Sequence, residues 1–146
     1  MSTTSSARDE TEIRDRIDRW TRALHAQDLD ALMALYAPDT VVFDVTPPHR
    51  VVGRDQYRRN FERWFAEMPT IEYEAHELAV QTGGDVAFCH ALGHVQATRS
   101  NGERADYWVR VTVGFEKRNG EWLMTHDHVS MPIDMQTAKA VRELRS

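Results

Sequence analysis

The chain has 146 residues, enough to bury one full core, and its 41% hydrophobic and 28% charged residues are ordinary for a single globular domain. Its 18 Lys and Arg against 23 Asp and Glu give a net charge of −5 with both signs interspersed, so no basic stripe marks a nucleic-acid surface. No apolar run approaches the roughly 20 residues that span a bilayer, no signal sequence is expected, and the single cysteine, Cys89, cannot form an internal disulfide, so the expected compartment is a reducing cytoplasm.

Residues 1–8 begin small and polar and read as a flexible tail ahead of one domain over residues 9–133. Ile13, Ile17, Trp20 and Leu24 recur at helical spacing and predict an amphipathic helix over residues 9–26. Asp28 can cap a second, short helix carrying Leu29, Leu32, Met33, Leu35 and Tyr36, which Pro38 ends. The β-branched run 41–45 predicts a strand, and Pro47-Pro48 stiffens its exit. A third helix begins after Gly53, carries Tyr57, Phe61, Trp64, Phe65 and Met68 on one side, and stops at Pro69.

From Thr70 to Met131 the chain reads as four strands, broken at Gly83-Gly84, Asn101-Gly102 and Asn119-Gly120. Strands this long imply a strongly twisted or bent sheet. Residues 134–146 predict a final helix or a tail. The order predicts an α+β domain, with three helices packed on one face of a strongly curved, mostly antiparallel sheet.

Alternation along the last two strands sorts their side chains into faces. Ala105, Tyr107, Val109, Val111, Val113 and Phe115 form one apolar face. On the other fall Trp108, Arg110 and Thr112, joined by His126, His128 and Ser130 if a three-residue loop, Arg118-Asn119-Gly120, sets the register. That register places Arg110 opposite His128 and Thr112 opposite His126; Thr125 and Asp127 then interrupt the apolar face. The expectation is that the helices cover the polar face and enclose a ligand pocket, which leaves the valine face to form a homodimer.

The stretch from Trp20 to Asp39, the run Thr40-Val41-Val42-Phe43-Asp44, the Gly53-Arg54 helix start and the ending Asn119 to Ser130 resemble the SnoaL-like and ketosteroid-isomerase-like branch of the nuclear transport factor 2-like superfamily. The resemblance runs from about Asp9 to Pro132. It implies a cone-shaped, cystatin-like fold and a pocket for a small or polyketide-like carbonyl compound, with no cofactor. By the same resemblance Asp44 falls where ketosteroid isomerase has its general base. Trp20 stands where that enzyme has its oxyanion-hole tyrosine, and its protonated aspartic acid falls near Thr112 or Val113, so steroid isomerisation itself is not implied.

The expected catalytic set is therefore Asp44 as base, Arg110 and His128 stabilising an oxyanion, and His126 assisting. Trp20, Tyr36, Phe61, Trp64, His90, Trp108 and Thr112 are expected to contact ligand. No metal site is expected, because His90 and His94 on a strand lie about 13 Å apart, too far for one ion. Isomerisation, cyclisation and dehydration all fit this set. A non-catalytic binding or dimerisation module is the alternative, and a hydrolase using Asp44 to activate water is a third.

Overall fold

The computed structural model describes residues 3–144. Helix α1 (Thr3–Ala26) and the short helix α2 (Leu29–Met33) lead into strand β1 (Tyr36–Phe43) and the two-residue strand β2 (Val51–Val52). Helix α3 (Arg54–Glu67) follows, then four long strands: β3 (Thr70–Gly83), β4 (Val86–Thr98), β5 (Arg104–Arg118) and β6 (Glu121–Ser130). A small hairpin, β7 (Ile133–Asp134) and β8 (Lys139–Ala140), ends the chain. The main sheet runs β2-β1-β6-β5-β4-β3, with β1 parallel to β6 and every other neighbouring pair antiparallel. No helix among the described residues is long and apolar enough to cross a membrane.

The expected architecture is present, with helices against one face of a curved, mostly antiparallel sheet. Its strand boundaries follow the turn residues: Gly84, Gly102 and Gly120 all take positive φ, the conformation glycine adopts without strain. Three local expectations change. Residues 3–8 continue α1, with Ser6 Oγ hydrogen-bonded to Thr82 Oγ1 at 3.2 Å; residues 1 and 2 lie outside the described residues. The second helix stops at Met33, because the Leu35 carbonyl accepts the Met124 N–H at 2.9 Å and Tyr36 joins the parallel ladder with β6. Residues 133–142 form a hairpin and strap in place of the expected helix or tail, with the Trp108 N–H satisfied by the Arg142 carbonyl at 2.8 Å; residues 145 and 146 lie outside the described residues.

The largest correction concerns the two faces of the sheet. Arg118 pairs with Glu121, so the loop is the two-residue Asn119-Gly120 turn, with φ of 53° and 78°. Near the turn this places Phe115 opposite Met124 and Lys117 opposite Trp122. The register then shifts: Thr125 is the extra residue of a β-bulge beside Gly114, and its Oγ1 donates to the Gly114 carbonyl at 3.3 Å. Past the bulge Val113 meets Asp127, Val111 meets Val129, Thr112 meets His128, and Arg110 meets Ser130.

Helices α1 and α3 cover the face carrying Val109, Val113, Phe115, Trp122 and Met124, all buried. That face is the interior, and so cannot be the surface that meets a second copy. Trp108, Arg110, Thr112, His126 and His128 lie on the outward face instead. The apolar area decides the orientation, because burying the valines removes far more apolar surface from water than burying the histidines would.

Candidate functional site

Between the helices and the inner face lies a cavity of about 400 Å³. Val95, Val109, Val111, Val113 and Val129 form its sheet wall, while Trp20, Phe61 and Trp64 face them from the helices. Such an apolar space holding few polar groups is the usual form of a small-molecule site.

Asp127 supplies the deepest polar group. The β6 bulge turns its side chain inward, where the residue is 4% exposed. Tyr36, at the start of β1, donates its phenol hydrogen to Oδ2 at 2.6 Å, and Tyr57, one turn into α3, donates to the same oxygen at 3.1 Å. Trp20 on α1 in turn donates its Nε1–H to the Tyr36 hydroxyl at 2.9 Å. Oδ1 is buried and has no hydrogen-bond partner among the described residues. One oxygen is thus fixed by two phenols, while the other is buried without a partner.

Burial pushes the Asp127 carboxyl up to about 6; the phenol hydrogen bonds oppose that rise, and the charge of Asp44 adds to it. Burial and the neighbouring acid also hold Tyr36 and Tyr57 well above the ordinary phenol range, so both remain donors.

Asp44 follows β1 and lies on the wall with Thr46 and Pro47. Its inward direction follows from parity, since Val42, two residues earlier, is fully buried opposite Asp127. Burial raises its carboxyl as well, while the Val45 N–H, donating to Oδ1 at 2.7 Å, pulls the other way. Asn60, Arg63 and Glu67 from α3 complete the lining on the side of that helix.

Of the residues expected from sequence, Asp44, Trp20, Tyr36, Phe61 and Trp64 meet in this cavity. Arg110, His126, His128, His90, Trp108 and Thr112 do not. Arg110 donates to Ser130 Oγ at 3.1 Å on the exposed face. His126 donates from Nδ1 to the Val41 carbonyl at 2.6 Å, tying β1 to β6, and Phe43 packs edge-on against both His126 and His128. Trp108 stacks on His94, with ring centres 4.4 Å apart, and His90 is exposed opposite Thr112. No group of three or more His, Cys, Asp or Glu placed to hold a metal occurs among the described residues.

Sequence reasoning missed Asp127 and Tyr57. The signal for Asp127 was present as an acid breaking an otherwise apolar stripe, and Gly114 in mid-strand was the mark of the bulge that carries it inward. Tyr57 shares its helical side with Phe61, and its hydroxyl gains meaning only once Asp127 is inside.

Comparison with known proteins accords with this architecture. A family model described as the SnoaL-like domain matches residues 13–134. A nuclear transport factor 2-like protein of unknown function from Pseudomonas putida is 31% identical, with 100% of this chain and 99% of that one covered and a TM-score of 0.86. A candidate calcium/calmodulin-dependent protein kinase II association domain from Xanthomonas campestris is 27% identical over 82% of this chain and 84% of its own, with a TM-score of 0.73. A candidate dehydratase of the nuclear transport factor 2-like family from Streptomyces avermitilis shares the fold at 16% identity, covering 86% of this chain and 97% of its own, with a TM-score of 0.78. No curated protein matches the chain. The family model and the full-length overlay place this chain in the SnoaL-like domain family of the nuclear transport factor 2-like superfamily.

Proposed function

We propose that the protein is a cofactor-independent enzyme performing acid–base chemistry beside a carbonyl, with Asp127 and Asp44 as its proton-handling pair. The observation that carries this reading is the buried Asp127 carboxyl on the cavity lining, with Oδ2 held by Tyr36 and Tyr57 and Oδ1 without a partner. A carboxyl near 6 is poised to give or take a proton at ordinary pH. One carboxylate removes a proton from the carbon next to the carbonyl, and the other, when protonated, returns one to the carbonyl oxygen or to a departing hydroxyl. Isomerisation, cyclisation and dehydration share this step. The likeness in fold to a candidate dehydratase is compatible with it.

Exchange of deuterium from heavy water into 2-tetralone, a compact bicyclic ketone, tests the reading by NMR. The wild-type protein is expected to accelerate exchange above buffer. Asp127→Asn and Asp44→Asn should each lose about 10²- to 10⁴-fold of that acceleration. Equal rates for wild type and both variants would overturn it. Binding without exchange would favour a ligand-binding module.

The outward sheet face supports a second assignment, a homodimer through that face. Phe43 and Phe88 are 40% and 46% exposed there, and the similar Xanthomonas protein is a candidate association domain. The buried, unpaired Cys89 thiol fits a reducing cytoplasm.

A further inference from the structure

Six rings line the cavity: those of Trp20, Tyr36, Tyr57, Phe61, Trp64 and Tyr73. They touch one another in sequence. Trp20 meets Tyr73 edge-on with centroids 5.1 Å apart, Tyr36 meets Tyr57 at 5.2 Å, Tyr57 meets Phe61 at 4.7 Å, and Phe61 meets Trp64 at 6.2 Å. The face of each ring carries negative electrostatic potential. Asp127 and Asp44 open onto the same space. Among the described residues that line it, Arg63 is the one cation. It is exposed, its guanidinium donates to Asn60 Oδ1, and Glu67 beside it on the same wall offsets its charge.

The space is therefore apolar in its walls, negative in its fixed charges, and supplied with one buried carboxylate oxygen that lacks a partner. An anionic ligand would meet Asp127 and Asp44 with only an exposed arginine to compensate. A neutral one would leave both carboxyls with their burial uncompensated. A cation relieves both and gains from the ring faces as well.

We infer that the ligand of this cavity is a compact organic cation, a protonated amine on an apolar ring body, with its ammonium drawn to the Asp127 and Asp44 carboxyls and the surrounding aromatic rings. This rests on the reading of the cavity as the binding site.

Calorimetric titration at pH 7 with 2-aminotetralin and with 2-tetralol tests it, because the two probes differ chiefly in ammonium against hydroxyl. The amine is expected to bind about tenfold or more tightly than the alcohol, as for a charge pair formed away from water. Asp127→Asn should abolish that preference, and Asp44→Asn should reduce it. The wild-type comparison needs no variant. Equal or tighter binding of the alcohol, or a preference for the amine that survives both substitutions, would overturn the inference and leave the acid–base reading standing. Binding of neither probe would overturn the inference together with the reading of the cavity as a ligand site.

Discussion

The phenol of Tyr36 and the carboxylate of Asp127, 91 positions apart in the chain, meet at 2.6 Å. The contact depends on β1 running parallel to β6, which sets Val42 beside Asp127 and brings the start of β1 alongside Met124. It also depends on the bulge at Thr125. Removing the Tyr36 hydroxyl takes away a hydrogen bond that favours the ionised carboxylate. Tyr36→Phe is therefore expected to raise the Asp127 midpoint above its value of about 6, as read by carboxyl carbon-13 shifts against pH. An unchanged or lowered midpoint would contradict the assigned role of this bond.

Asp127 also sets a pH dependence of stability. Its folded midpoint of about 6 lies above the ordinary value of 3.8, so between these limits the folded state binds more protons than the unfolded one. Stability from this group is then fullest at low pH and falls as pH rises through about 6, by up to roughly 3 kcal/mol. Asp127→Asn removes the ionisation. The stability difference, variant minus wild type, should grow in favour of the variant from pH 4 to pH 7 in thermal or urea unfolding. A flat difference would contradict the buried-acid account.

Gly93 is a packing requirement. A Cβ there would lie 2.6 Å from Tyr73 Cε2 and 2.8 Å from its hydroxyl oxygen, so the ring, which packs edge-on against Trp20, would have to move. Gly93→Ala is expected to cost about 1–3 kcal/mol. Shortening the neighbour, as in Gly93→Ala with Tyr73→Leu, should recover part of that loss as a coupling term in a double-mutant cycle. Strict additivity would show that the two residues do not share this space.

Substitutions on the two faces of β5 and β4 should separate fold stability from the proposed association. Val111 lines the cavity, so Val111→Asp puts an unpaired charge into the interior and should destabilise the fold by several kcal/mol. Phe88 lies outside, opposite Gly114, so if the proposed association uses this face, Phe88→Glu should leave a folded monomer in sedimentation, with far less loss of stability than Val111→Asp. A wild-type protein that is strictly monomeric at micromolar concentration would contradict the association through this face.

Much of the fold was legible because its punctuation is local. Pro69, Gly83-Gly84, Asn101-Gly102 and Asn119-Gly120 mark element ends through backbone chemistry that needs no tertiary context. Trp20, Phe61 and Trp64 were legible because helical spacing put them on the core side; Tyr36 also reaches the core, but from strand β1 and not from the expected helix. The inner half of the site was not. A strand's parity holds only while its ladder is unbroken, and one extra residue at Thr125 exchanges the faces of everything after it. His126 and His128 nonetheless share a face with Arg110 and Thr112, and Asp127 shares one with the valines, as alternation predicts, because the bulge offsets the shorter turn. What differs is which of the two faces the helices cover. The roles of Arg110 and Thr112 failed with those of the histidines, because a face was assigned by its polar content when the larger apolar area of the valine face governs which side is buried.

Asp127 is central: its burial on the cavity lining pushes the carboxyl up to about 6. Carbon-13 NMR of protein labelled at the aspartate carboxyl carbons, assigned by comparison with Asp127→Asn and followed from pH 3 to pH 9, measures this directly and needs no substrate. The predicted result is one aspartate with a midpoint near 6, absent in Asp127→Asn. A midpoint for Asp127 at or below the ordinary aspartate range would contradict the central claim.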